Sequence, residues 1–417
     1  MANINQSRIT VSEILTQPQH HLPDLPHNES YQFHSMIKPS GSQCNIDCQY
    51  CFYLHKEQLL EQPKTPRMSD DLLEQHIRQY IEAQTGPEVV FSWQGGEPML
   101  MGLDFYHRVV ELQAKYKKAD QTIYNDLQTN GILIDEKWCE FLKKHQFLVG
   151  LSIDGSAKFH NEYRRTNNDK PTHHLVMRAV ALLRQYDIEF NALCVVNAYN
   201  SQHPLEVYRF LRDDVTPKMI QFSACVEPVD FKTSGPNYLK DQATQQADNQ
   251  VTHWSVTSQG WGNFLATIWD EWLAYDYGEV FVDQFENTVS QIFGYGAQKC
   301  TTAQICGKAL AIEHNGDVYS CDHFVYPEFK LGNISDIHEG DLAFSKEQEQ
   351  FAFAKYQQLT KYCQQCPYLQ LCWGECPKNR FISSPDGEKG LNYLCQGLKI
   401  FYQKAVSDYP VLSARLQ

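Results

Sequence analysis

A chain of 417 residues with 42% apolar side chains can bury a large core, in one domain or in two or three. Its net charge of −14 argues against general binding to nucleic acid or acidic membranes, and no run of about 18 apolar residues offers a membrane span. Fourteen cysteines in tight clusters, behind a polar N-terminus without an apolar signal core, point to a cytoplasmic chain whose cysteines bind metal rather than form disulfides.

Residues 1–32 read as a weakly ordered lead-in, and the histidines at His20, His21 and His27 as a solvated tail. Phe33 to Ile37 reads as a strand running into the first cysteine cluster. Ser69 is an N-cap for a helix that places Leu73, Ile77 and Ile81 on one face. Strands from Glu88, Thr122 and Phe147 alternate with a helix from Leu103 to Tyr116 and a helix capped by Asp135. The pattern continues with helices at His174–Tyr186 and Pro204–Arg212 and strands at Glu189–Val196 and Met219–Ala224. About six β/α units in order predict a parallel sheet, open or closed into a partial barrel. Residues 229–256 look like a polar inserted loop. Helices at Trp261–Tyr277 and Asp283–Phe293 then lead to a cysteine-rich segment with little periodic structure.

The first cluster, Cys44, Cys48 and Cys51, has the spacing C-x3-C-x2-C just after a predicted strand, where α/β folds place active sites. Three thiolates can hold three irons of a cubic 4Fe–4S cluster and leave the fourth open. An open iron can chelate an amine and a carboxylate, and the cluster can pass one electron to a bound sulfonium. Zinc is the competing metal, although structural zinc wants four closed ligands. Farther on come Cys300, Cys306 and Cys321, then Cys363, Cys366, Cys372 and Cys376, then Cys395. Eight thiolates suffice for two fully ligated 4Fe–4S clusters, with two zinc sites as the alternative. Cys139, Cys194 and Cys225 fall in helix or strand patterns and read as buried apolar-like residues.

The C-x3-C-x2-C motif with Tyr50 before its last cysteine resembles the signature of the radical S-adenosylmethionine (SAM) superfamily. WQGGEP (Trp93 to Pro98), QTNG (Gln128 to Gly131) and SIDG (Ser152 to Gly155) extend the likeness at successive strand ends. The resemblance implies a partial (β/α)6 barrel over residues 33–228, and SAM contacts at Tyr50, Gly96, Ser152, Arg164 and Ile220, with Arg165 a rival for Arg164. The eight later cysteines resemble the SPASM twin-cluster domain, over residues 300–400, reached through the loop and helices of 229–299 and followed by a helix or tail at 401–417. By that likeness Cys300, Cys306, Cys321 and Cys376 hold one cluster, and Cys363, Cys366, Cys372 and Cys395 the other.

Within this group the chain is most similar to the anaerobic sulfatase-maturating enzymes, over about residues 33–400. EHNGDVYSCDHFVYP is the sharpest segment, because an Asp directly after a cluster ligand acts as general base in that family. The likeness implies three 4Fe–4S clusters and SAM as cofactors, with Asp322 as base. It implies oxidation of a Ser or Cys side chain in a sulfatase to formylglycine. The expected partners are an unfolded or nascent sulfatase segment and an electron donor such as flavodoxin or ferredoxin. Another SPASM-type peptide maturase is the rival reading, and a non-catalytic iron–sulfur electron carrier is the reading from a different class. His323 reads as structural, and Tyr53 as either pocket lining or packing.

Overall fold

The computed structural model describes residues 11–15, 32–239 and 250–415. The His20, His21 and His27 tract, most of the lead-in and residues 240–249 of the polar loop lie outside them. Six strands, β1 (His34–Lys38), β2 (Glu88–Trp93), β3 (Thr122–Thr129), β4 (Leu148–Ser152), β5 (Phe190–Val196) and β6 (Met219–Ala224), stand side by side in chain order and all pair in parallel. The intervening segments carry α1 (Asp70–Ala83), α2 (Leu103–Tyr116), α3 (Glu136–Lys144), α4 (Ala157–Tyr163), α5 (His173–Gln185) and α6 (Pro204–Arg209). This is the partial (β/α)6 barrel expected from the sequence. The two caps form as read. Ser69 accepts a hydrogen bond from the Leu72 amide, and Asp135 accepts one from the Trp138 amide at 2.9 Å.

The core is what parallel strands demand, since both faces are covered. Phe91, Trp93, Leu127, Val149, Leu151 and Ala192 are all fully buried. The apolar face of α1, with Leu73, Ile77 and Ile81, is buried as its period predicted.

The cysteine-rich half is more regular than its sequence suggests. A short strand β7 (Phe281–Val282) extends the barrel sheet beyond β6, and α7 (Ser258–Glu271) and α8 (Asp283–Ile292) pack beside it. On the other edge, β8 (Ala309–Glu313) pairs in parallel with β1, register His34 to Ala309 through Lys38 to Glu313. It then turns back antiparallel through β9 (Asp317–Tyr319) and β10 (Lys330–Asn333), so one ten-stranded sheet spans both halves. This half also carries helices α9 (Glu339–Ala343), α10 (Lys346–Gln357) and α11 (Cys395–Ser407), besides shorter helical turns. The helix expected after residue 400 thus begins at Cys395 itself.

The anchoring of α11 has a simple steric cause. A Cβ on Gly262 of α7 would lie 2.2 Å from the Gly397 carbonyl oxygen, and one on Gly397 would lie 1.8 Å from that of Ser258. Only two glycines let these helix backbones touch, and the contact fixes where Cys395 points. A buried network ties α9 to the barrel: Glu339 accepts from the Ser35 hydroxyl at 2.6 Å and bonds the His76 ring at 2.8 Å.

Candidate active site

Each barrel strand ends at one cavity of about 650 Å³. Lys38, Gly96, Thr129, Ser152, Val195 and Ala224 line it, all at or just beyond the C-terminal ends of β1 to β6. The three cysteines of the first cluster, Cys44, Cys48 and Cys51, form part of its wall. The same cavity is also lined by Cys300, Cys306, Cys321 and Cys376, and by Asp322. A second, smaller pocket is lined by Cys363, Cys366, Cys372 and Cys395. Eleven cysteines therefore fall into a set of three and two sets of four, and Cys376 sits with cysteines far from it in sequence.

These sets fit iron–sulfur clusters on chemical grounds. All the cysteines are free thiols. Burial pushes the Cys44 and Cys395 thiols up to about 12, so as bare thiolates they would be unfavourable. Cluster iron supplies the positive charge that makes such thiolates stable ligands.

Gly96 belongs to a tight contact. Its amide donates to the Gly41 carbonyl at 2.9 Å, and a Cβ there would lie 2.0 Å from the Gln43 carbonyl oxygen, next to Cys44. The glycine thus lets the GGEP turn sit directly on the cysteine loop. Glu97 of the same motif is fully buried and accepts from the amides of Met99 and Asn130 and the hydroxyl of Thr129. Burial raises its carboxyl to about 7. Asn130, positioned by this contact, donates to Asn45 at 2.7 Å and approaches the Cys44 sulfur at 3.7 Å.

Tyr50 and Arg164 meet on one acid. The Tyr50 hydroxyl donates to Asp154, and the Arg164 guanidinium grips it through Nε at 3.0 Å and Nη2 at 3.2 Å. The Val195 amide adds a fourth bond at 2.9 Å. Arg164 therefore presents Nη1, 4.0 Å from the Cys48 sulfur, rather than its whole fork. Arg165 turns away and bonds Asn161 and Asp169. Ser152 lines the cavity and accepts from Gln128 at 3.1 Å. Ile220 is fully buried in β6 and is not part of the lining, which the neighbouring Gln221 and Ser223 supply. Cys225 is buried as expected, yet it borders the cavity.

Asp322 pairs with Lys38, the last residue of β1 and only 2% exposed. The carboxyl lies below the usual range, because the Lys38 and neighbouring positive charges outweigh its desolvation. The Lys38 ammonium also lies 4.1 Å over the centre of the Tyr53 ring, whose hydroxyl donates to buried Glu313. His323 faces the Cys376 sulfur at 3.6 Å, with burial lowering its pKa to about 4. Sequence reading did not single out Lys38, Asp154 or Glu313. Asp154 and Glu313 each lay inside a recognised segment, as the acid of SIDG and the first residue of EHNGDVYSCDHFVYP.

Residues 39–211 match the radical SAM superfamily model, and residues 300–367 match an iron–sulfur cluster-binding domain, SPASM. The chain is 44% identical over 368 residues, 88% of each chain, to the serine-type anaerobic sulfatase-maturating enzyme of Bacteroides thetaiotaomicron. This chain belongs to the anaerobic sulfatase-maturating enzymes. It is also 33% identical to the cysteine-type enzyme of Clostridium perfringens, over 89% of this chain and 95% of that one. The structure of native anSMEcpe with bound AdoMet and Cp18Cys peptide superposes with a TM-score of 0.79 at 30% identity, covering 93% of this chain and all of the other. As a member of this family the chain is a radical SAM oxidoreductase that uses iron–sulfur clusters and SAM. Among the described residues no helix is long and apolar enough to cross a membrane.

Proposed function

We propose that this chain oxidises a Ser or Cys side chain in a sulfatase segment to formylglycine, with Asp322 as general base. The observation that carries this reading is one cavity lined by Asp322 together with the three cysteines of the first cluster and four of the later ones. Family membership supports the reaction class, and a cavity of about 650 Å³ is within the usual size for a small ligand site.

In this reading Cys44, Cys48 and Cys51 would hold the cluster that binds SAM, while Tyr50, Gly96, Ser152 and Arg164 shape its pocket. Bound there, SAM and a reduced cluster would supply the carbon radical that takes a hydrogen atom from the target Cβ. Asp322 takes the hydroxyl or thiol proton, and one electron leaves as the carbon–heteroatom double bond forms. The loss is two hydrogens from Ser; from Cys, water then exchanges sulfur for oxygen. Lys38 keeps Asp322 charged and oriented, as general base catalysis requires. Cys300, Cys306, Cys321 and Cys376 line the same cavity and would hold a cluster able to accept that electron. An electron donor such as flavodoxin or ferredoxin and a reducing cytoplasm complete the reading.

The test is anaerobic incubation with reductant, SAM and a peptide carrying Ser/Cys-x-Pro/Ala-x-Arg. The expected product is formylglycine, detected by mass. Release of 5′-deoxyadenosine without peptide oxidation would remove the sulfatase assignment. Asp322→Asn should abolish oxidation while iron content and SAM cleavage persist, and unchanged product formation would overturn the base role.

A further inference from the structure

Two buried cations lie behind the four-cysteine wall, and the proposed reaction leaves them without a role. Lys355 of α10 is fully buried, and its Nζ contacts the carbonyl oxygens of Cys300 at 2.6 Å, Thr301 at 2.8 Å and Ala303 at 2.6 Å. A neutral amine has only two N–H donors, so three carbonyl acceptors call for the ammonium. Arg380 is 6% exposed and donates to the carbonyls of Gly374 at 2.9 Å, Lys355 at 2.6 Å, Trp373 at 2.7 Å and Glu375 at 3.3 Å. The left-handed turn at Trp373, Gly374 and Glu375, with φ of 45°, 70° and 53°, turns these carbonyls onto one guanidinium. That turn joins Cys372 of one four-cysteine set to Cys376 of the other.

Among the described residues, neither cation forms an ion pair with a carboxylate. The Glu375 carboxylate, on the turn that Arg380 holds, accepts from Asn392 instead. Buried charges are ordinarily paired or face a metal centre. Lys355 is instead fixed on the backbone carbonyl of Cys300, a member of the four-cysteine set, and Arg380 on the carbonyls of Gly374 and Glu375 just before Cys376, another member.

We propose that Lys355 and Arg380 are positioning charges that raise the reduction potential of the cluster held by Cys300, Cys306, Cys321 and Cys376. This rests on the reading of those cysteines as cluster ligands. A four-thiolate cubane is anionic, and accepting one electron makes it one unit more negative. A fixed cation in a low-dielectric surround stabilises the reduced form more than the oxidised form. The electron given up by the substrate carbon radical then has a more favourable acceptor. Loop anchoring alone predicts a different result, because any donor of suitable shape could hold the same carbonyls.

The experiment is an EPR-monitored redox titration of the full chain with Cys44, Cys48 and Cys51 replaced by Ala, which leaves only the auxiliary signals. Iron per chain is measured first; absence of iron at the eight remaining cysteines would refute the underlying reading and this inference with it. In iron-replete Lys355→Gln, one midpoint should fall by at least about 59 mV, a tenfold change in a one-electron equilibrium. Lys355→Arg, which keeps the charge, should retain the original midpoint. An unmoved midpoint in Lys355→Gln, or an equal fall in Lys355→Arg, overturns the proposal. If Lys355→Gln loses its iron, Arg380→Gln carries the same test from the other side of the turn, with unmoved midpoints again overturning it.

Discussion

Gly96→Ala is the substitution whose effect can be worked most directly from the structure. The added Cβ would sit 2.0 Å from the Gln43 carbonyl oxygen and 2.6 Å from the Ser42 carbonyl carbon. These are backbone atoms that cannot rotate aside, so either the GGEP turn or the cysteine loop must shift. Movement breaks the Gly96 amide to Gly41 bond and the Glu97 amide to Gln43 bond. Each is worth about 1 kcal/mol, and overpacking adds about 1–3 kcal/mol. The total of about 3–5 kcal/mol weakens the geometry of the three-cysteine set roughly a hundredfold or more, at about 1.4 kcal/mol per factor of ten. The expected result is loss of the first cluster under a chelator challenge, from about twelve irons per chain to about eight, with SAM cleavage lost in step. Full iron and a normal rate of 5′-deoxyadenosine release would refute the argument that Gly96 spaces the turn from the loop.

Lys38→Met removes the cation beneath Asp322 while leaving every cluster ligand in place. SAM cleavage should continue, but formylglycine should fall on the order of a hundredfold, as for loss of an effective base, so the ratio of 5′-deoxyadenosine to product is the readout. Asp154→Asn leaves the Arg164 guanidinium buried without its carboxylate, costing about 3–5 kcal/mol. It should lower the thermal midpoint and weaken SAM binding in calorimetry; unchanged affinity would show that the Tyr50–Asp154–Arg164 cluster does not shape the pocket. Glu339→Ala strands the Ser35 hydroxyl and the His76 ring, both fully buried. Its expected cost of about 2–4 kcal/mol should appear as a lower urea midpoint with iron content retained.

What the sequence by itself determined is local. The strands and helices of the barrel follow from apolar period and caps, as at Ser69 and Asp135, because those signals act within a few residues. The motif C-x3-C-x2-C and the GGEP turn are legible for the same reason: short spacing fixes ligand geometry wherever the loop lies. Tertiary structure decided what depends on distant segments. Pairing of β8 with β1 joins strands from opposite ends of the chain, and nothing in ALAIE names its partner. The start of α11 at Cys395 depends on Gly397 meeting Gly262, a contact invisible in a helix read alone. Lys38, Asp154 and Glu313 look like ordinary charged residues at strand ends until folding removes water from them. Burial then leaves each charge dependent on a partner many residues away, which is why only the folded chain reveals that Lys38 holds Asp322 and that Lys355 is fixed on the Cys300 carbonyl.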